Sequence, residues 1–368
     1  MSAGSKRKDF VPDFRDNDAF LKQEAQRVIK ERKELGMENL VGNLEAVIIN
    51  TEPGNQKPAV QEFLDHTGYD FAYAYEEKSF ITAVLTLSGS ADILMRSRKK
   101  TENPFREFNL HPSSKHLPDT RLETFVFSCQ DVAKYFEIQK NRGVSFLESS
   151  ENDNYIFLQT RPSLYTGVAV GLLQWFKKKN SYLTPECKML DWKFIKPARE
   201  YLKNIGKLDH TATRVKAEER DAAIIEFMEL TNYNFDLAIY VKSLNSITNV
   251  ARLSAPDFAM VFTSGIAPFK SLEESGPTEK FIYNYGARTH HLAFITQNIE
   301  ETYRFLGYDG LQYLIELIGS PDQGLKQTFT VASSHTLLVN EYIYRYGDFT
   351  GFFTKENVTL LTEATEKQ

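Results

Sequence analysis

Two imidazoles and one carboxylate stand on strand-like stretches in the second half of this chain. They are His210 in Leu208 to Arg214, one of the adjacent pair His290-His291, and Glu341 in Leu337 to Tyr346. A two-histidine, one-carboxylate set leaves several coordination positions open. It therefore suits a redox-active ferrous ion that must bind both a substrate and dioxygen. Side chains alternate across a strand, so Leu337, Val339, Glu341 and Ile343 share one face. A carboxylate on that apolar face is costly to bury unless it is paired or metal-bound. Arg345, on the same face, is the competing partner for Glu341. In the histidine pair, His291 shares a face with Ala293 and Ile295, and His290 shares one with Leu292 and Phe294. Strict alternation lets only one of the two point inward. His66, His111, His116 and His335 lie in polar or turn-like surroundings, where local hydrogen bonding is the default.

The elements that must carry these residues repeat along the chain. Phe20 to Gly36 is rich in helix formers, ends in a capping glycine and has few apolar positions, which predicts a helix loosely packed on a surface. Short apolar runs follow at Ala46 to Ile49, Phe80 to Leu87 and Thr124 to Ser128, with amphipathic stretches at Ala59 to Thr67 and Asp131 to Gln139. The second half reads alike. Strands are predicted at Leu208 to Arg214, Val250 to Leu253, Phe258 to Thr263, His290 to Thr296, Lys326 to Val331 and Leu337 to Tyr346. Helices are predicted at Glu218 to Leu230 and at Ile299 to Leu306, the latter capped by Asn298.

Four features register an internal repeat. Asn43-Leu-Glu45 matches Leu208-Asp-His210 at an offset of 165, and Phe127 to Val132 matches Phe294 to Ile299 at 167. Leu158-Gln-Thr160 matches Lys326-Gln-Thr328 at 168, and the strand Val168 to Trp175 falls opposite the one carrying Glu341. At the matching places the first copy has Glu45, Glu123-Thr124 and Leu173-Gln174, with no histidine, so it is expected to be metal-free. The organisation expected is a polar helical extension (1–40), a metal-free domain (41–180), a linker (181–205) and a metal-binding domain (206–368).

Composition bounds the rest. The 368 residues suffice for two ordinary domains, and 42% apolar with 25% charged content is that of a soluble globular protein. A net charge of −5 gives no basic face for nucleic acid, and the short runs Arg96 to Lys100 and Lys177 to Lys179 read as solvated surface. The polar stretch Met1 to Asp9 lacks a signal peptide's apolar core, and no segment is apolar enough to span a bilayer. Cys129 and Cys187 are too few to staple a secreted fold, so a cytoplasmic location is expected.

The residues resemble the 4-hydroxyphenylpyruvate dioxygenase family of the vicinal-oxygen-chelate superfamily. Leu208-Asp-His210 is similar to that family's first ligand motif, and Thr289-His-His-Leu-Ala-Phe-Ile-Thr296 to its second, which selects His291. Leu325-Lys-Gln-Thr-Phe-Thr330 resembles the strand whose glutamine faces substrate, giving Gln327. Glu341-Tyr-Ile-Tyr-Arg-Tyr-Gly347 resembles the third ligand motif. Gly351-Phe-Phe353 and Asn357-Val358 resemble the start of a C-terminal gating helix. The resemblance implies an α+β fold of duplicated βαβββ modules, the vicinal-oxygen-chelate fold, with an open mixed barrel around the metal. It also implies Fe(II) held by His210, His291 and Glu341, with Gln327, Phe352 and Asn357 around the substrate, Phe352 stacking on its ring.

The implied activity is oxidative decarboxylation and hydroxylation of an aromatic 2-keto acid with dioxygen, as in aromatic amino acid catabolism. Neither nucleic acid nor membrane is an expected partner, and the oligomeric state stays open, a homo-oligomer included. The alternatives are an extradiol catechol dioxygenase and a non-catalytic, metal-dependent binder of an aromatic metabolite. The chain departs from the family in lacking a helix-containing insertion between His291 and Gln327. It also lacks the family's "NEP" loop near Phe262 to Ile266, and Gly276-Pro277-Thr278 replaces a Ser-Gln pair. These losses predict weak turnover of 4-hydroxyphenylpyruvate itself, or a related acid in its place.

Overall fold

The computed structural model describes residues 18–99, 102–347, 349 and 351–368. Residues 1–17 of the extension expected at 1–40, which include the polar stretch Met1 to Asp9, and Lys100 of the first basic run lie outside the described residues. Helix α1 (Ala19–Glu34) opens the fold. Its buried positions Leu21, Ala25, Val28 and Arg32 are spaced by four, three and four residues, so one narrow stripe is enough to dock it. The docking is firm rather than loose. Arg32 Nη1 donates to the carbonyls of Thr231 and Tyr233 at 2.9 and 3.0 Å, far along the chain. Gly36, at φ 70°, ends the helix in the left-handed region as its sequence position predicts.

The first half then runs β1 (Val41–Thr51), α2 (Gln56–His66), β2 (Asp70–Glu76), β3 (Phe80–Thr86) and β4 (Asp92–Arg98). It repeats the pattern as β5 (Arg121–Cys129), α3 (Val132–Asn141), β6 (Phe146–Glu151), β7 (Tyr155–Thr160) and β8 (Ala169–Trp175). A short β9 (Lys188–Leu190) follows. The second half runs β10 (Ile205–Arg214), α4 (Arg220–Leu230), β11 (Asn234–Val241), β12 (Ser246–Arg252), β13 (Ala259–Ser264) and α5 (Pro277–Tyr285). It continues with β14 (Arg288–Thr296), α6 (Ile299–Tyr308), β15 (Ile318–Ser320), β16 (Leu325–Phe329), β17 (Val339–Arg345) and α7 (Lys355–Ala364). Each half is thus a pair of βαβββ units, and the repeat seen in the sequence is a repeat of pairs.

The first sheet has the order β6-β7-β8-β5-β1-β4-β3-β2-β9, and the second has β11-β12-β13-β10-β14-β17-β16-β15. Without β9 the two orders are equivalent. β9 pairs with β2, and Tyr182 Oη donates to Asp92 Oδ2 at 2.8 Å, so the stretch expected to be a linker adds an edge strand to the first sheet. The helix-bearing faces of the two sheets meet in one core. Phe63 and Tyr69 of the first half pack edge-on against Phe294 of the second, and Phe127 packs against Phe227 and Tyr233. The opposite, inner face of the second sheet carries the candidate site.

Strand register corrects the repeat in detail. Leu44 pairs with Phe127 as Leu208 pairs with Phe294, and Val126 pairs with Gly171 as Ala293 pairs with Glu341. The offset is therefore 164 on the opening strands, 167 on the middle ones and 170 on the closing ones. The first-half counterparts of His210, His291 and Glu341 are Ala46, Thr124 and Gly171, not Glu45 and Leu173-Gln174. Gln327 corresponds to Phe157. Ala46, Val126, Phe157 and Leu173 form a packed apolar cluster there. A Cβ on Gly171 would meet carbons of Phe157, Val126 and Thr124 at 3.0, 3.0 and 3.1 Å.

Candidate metal centre

Three strands bring the three candidate ligands together. His210 lies on β10, His291 on its antiparallel neighbour β14, and Glu341 on β17, which runs parallel to β14. All three are buried, and one ligand atom from each falls within 4.8 Å of the other two. Glu341 Oε2 lies 3.1 Å from His210 Nε2 and 3.2 Å from His291 Nε2. No other group of three or more such residues is gathered among the described residues. His291 Nε2 is a buried nitrogen without a hydrogen-bond partner, facing the space between the three ligands. An unpaired buried nitrogen is costly, and a cation accepting its lone pair removes the cost. The residues fit a divalent transition ion.

The surrounding groups set the orientation of each ligand, as metal-binding histidines require. His210 Nδ1 contacts Asp209 Oδ2 at 2.7 Å, and Arg345 holds the same carboxylate through two nitrogens at 2.7 and 3.0 Å. Arg345 thus belongs to Asp209 and leaves Glu341 free for the ion. Gln327 Nε2 donates to Glu341 Oε1, and Asn357 Nδ2 donates to Gln327 Oε1 at 3.0 Å. Gln327 and Asn357, expected around the substrate, are linked in series to Glu341 by these hydrogen bonds.

The adjacent histidines break the expected alternation. Ala212 pairs with His291 and Thr213 with Thr289, so His290 is the extra residue of a β-bulge. Both rings line the same cavity. His290 Nδ1 lies 2.8 Å from His291 Nδ1, and His290 Nε2 lies 2.8 Å from Gln368 Oε1. One proton assignment satisfies the row. His291 Nδ1–H donates to His290, His290 Nε2–H donates to Gln368, and the His291 Nε2 lone pair is left for the ion.

Electrostatics divides the two ligand imidazoles. Burial acts to lower the His210 pKa, but the carboxylates of Glu341 and Asp209 outweigh it and lift the group to about 9. Burial, reinforced by the neighbouring His290, His210 and Arg214, holds His291 well below its usual value. Burial would raise Asp209, yet His210 and Arg345 prevail and keep its carboxyl below the usual range.

The cavity beside the ligands is about 40 Å³ and is lined by Arg214, Thr248, Thr263, Thr278, Phe329 and Phe353, with α7 as its cover. Phe352 does not line it. That ring packs on Ala212, Val250 and Val261, 5.4 Å from the His210 ring, while Phe353 faces the cavity. Asp209, His290, Phe353 and Arg214 are site residues beyond those expected. Alternation from His210 through Ala212 reaches Arg214, so that residue was accessible from the sequence.

This architecture is the vicinal-oxygen-chelate fold, α+β with two mixed sheets of paired βαβββ units. A triple mutant of 4-hydroxymandelate synthase from Streptomyces coelicolor is similar at TM-score 0.66 and 16% identity, over 89% of this chain and 98% of that one. A xylose isomerase-like TIM barrel/4-hydroxyphenylpyruvate dioxygenase fusion protein is similar at 0.64 and 13%, over 95% of this chain and 58% of that one. 2,2',3-Trihydroxybiphenyl 1,2-dioxygenase from Sphingomonas wittichii strain RW1 is similar at 0.51 and 13%, over 85% and 94%. No family profile matches the chain, and no curated protein sequence does. Among the described residues, no helix is long and apolar enough to cross a membrane.

Proposed function

We propose that the protein is a non-haem dioxygenase that holds Fe(II) at His210, His291 and Glu341 and oxidatively decarboxylates and hydroxylates an aromatic 2-keto acid. The observation that carries this reading is the buried cluster of three ligand atoms opening on a cavity walled by Phe329 and Phe353. Iron bound there would supply the dioxygen chemistry that side chains lack. The chain's own groups hold and enclose. Asp209 and His290 fix the two imidazoles, and Gln327, itself held by Asn357, fixes the Glu341 carboxylate. A cavity of about 40 Å³ has no room for an aryl ring, so α7 lifts for entry and closes to exclude water. In the overall reaction carbon dioxide leaves, one oxygen atom enters the new carboxylate and the other becomes the hydroxyl. The first half, with Ala46, Thr124 and Gly171 at the equivalent places, is a structural partner in this reading.

An extradiol catechol dioxygenase is the second reading, favoured by the likeness to a dioxygenase of trihydroxybiphenyl. The test is dioxygen uptake by iron-loaded protein over phenylpyruvate, 4-hydroxyphenylpyruvate, 3-indolepyruvate and a set of catechols, with carbon dioxide measured alongside. Uptake with equimolar carbon dioxide from a keto acid supports the proposal. Catechol-dependent uptake without carbon dioxide replaces it with ring cleavage, and silence throughout favours a binder.

A further inference from the structure

Arg214 ends the inner row His210, Ala212, Arg214 of β10 and pairs with Thr263 of β13. It is 5% exposed, and its Nη1 is buried without a hydrogen-bond partner. Among the described residues no carboxylate lies within ion-pair distance of it, and burial alone, unopposed by any acid, lowers its pKa to about 9. It lies over the Phe281 ring, with the guanidinium carbon 4.4 Å from the centroid. Other buried arginines have at least one strong acceptor: Arg98 pairs with Glu123 and Arg220 with Asp18, and Arg121 and Arg288 donate to backbone carbonyls, although Arg288 also keeps Nε and Nη1 buried without a partner. The first-half counterpart of Arg214 is Asn50, which donates to the Asp119 carbonyl at 2.6 Å, so the repeat itself does not require a charge here.

A buried, uncompensated guanidinium costs stability, and a forked donor of this kind matches a carboxylate. Arg214 shares its cavity with His290, His291 and Glu341, and the other polar groups in the lining are threonines, Thr248, Thr263 and Thr278 among them. Four residues of strand separate its Cα from that of His210 by about 13 Å. A molecule held at the metal by one end and lying along this strand would meet Arg214 with the other once α7 has lifted.

We propose that Arg214 receives a second carboxylate, carried by the substrate at the end remote from the metal, so that the substrate is an aromatic 2-keto acid bearing an acidic group on its ring. This rests on the 2-keto acid reading above for the metal-bound end only.

The test measures binding by calorimetry to protein loaded with redox-inert Zn(II), with two matched pairs of probes. The pairs are 4-carboxyphenylpyruvate against phenylpyruvate, and 3,4-dihydroxybenzoate against catechol. Wild-type protein should bind 4-carboxyphenylpyruvate at least about tenfold more tightly than phenylpyruvate, the scale of a charge-assisted hydrogen bond. That preference should vanish in Arg214→Met and in Arg214→Gln and survive in part in Arg214→Lys. Zinc content and circular dichroism should be unchanged in all three. If any variant is not recovered folded, the wild-type preference and the remaining variants decide. Equal binding of the two phenylpyruvates by wild type overturns the inference and leaves the 2-keto acid reading standing, as does a preference that persists without the charge. If no keto acid binds while the carboxylated catechol outcompetes catechol in an Arg214-dependent way, the receptor stands and the 2-keto acid reading falls. Failure of both pairs to bind overturns the inference.

Discussion

At neutral pH the metal-free site holds one proton that an incoming cation must displace. His210, held at about 9 by Glu341 and Asp209, is an imidazolium, whereas His291 lies well below its usual value and is already neutral. One proton should therefore be released per ion, and the apparent affinity for Zn(II) should rise about tenfold per pH unit between about pH 6.5 and 8.5. The stability of the metal-free protein should move oppositely. A group raised from about 6.5 in the unfolded chain to about 9 contributes fully below the lower value, and its contribution is lost as pH rises through the upper one. The loss is on the order of 3 kcal/mol. Chelator competition across this pH range gives the affinity, calorimetry in buffers of different ionisation heat counts the proton, and denaturant titration of metal-free protein gives the stability. Asp209→Asn, which removes one of the two carboxylates, should flatten both slopes. An affinity independent of pH above 7, with no proton released, would refute the charged His210–Glu341 contact.

Other perturbations separate the supporting parts. Gln327→Leu leaves Glu341 Oε1 without its donor, so metal affinity should fall about ten- to a hundredfold with the fold intact, read by chelator competition. Gly171→Val forces a side chain among Phe157, Val126 and Thr124 and should cost about 1–3 kcal/mol in denaturant titration with metal content unchanged. Arg214→Met removes a buried unpaired charge and should raise stability by about 1 kcal/mol or more, seen as a higher Tm. A lower Tm would mean that the contact with Phe281 outweighs the burial of the charge.

The strands carrying His291 and Glu341 were legible as short apolar runs in which a polar residue stands out, and the one carrying His210 by its match to the opening strand of the first copy. The histidine pair was not fully legible. Alternation assumes an unbroken ladder, and the bulge that turns His290 and His291 to one cavity depends on pairing with β10, which no local pattern reports. The repeat was visible, yet its register drifted, because loops of unequal length change the offset from 164 to 170 between strands that each look locally similar. This is why Glu45 stood in for Ala46. Residues 188–190 are too short a run to show any strand pattern, and only the free edge of β2 makes them a strand. Phe352 and Phe353 sit in a loop, where no periodicity says which ring faces the cavity. Arg214 could be placed on the inner face by counting from His210, but its lack of a counter-ion is a property of the packed molecule.

If His210, His291 and Glu341 together hold a single ion, elemental analysis will show it. Wild-type protein reconstituted with Fe(II) without oxygen and then desalted should carry one iron per chain. Glu341→Ala should lose most of that iron while keeping its circular dichroism and cooperative unfolding, since β17 pairs through its backbone. Full iron content in Glu341→Ala, or two ions per chain in the wild type, would contradict the account.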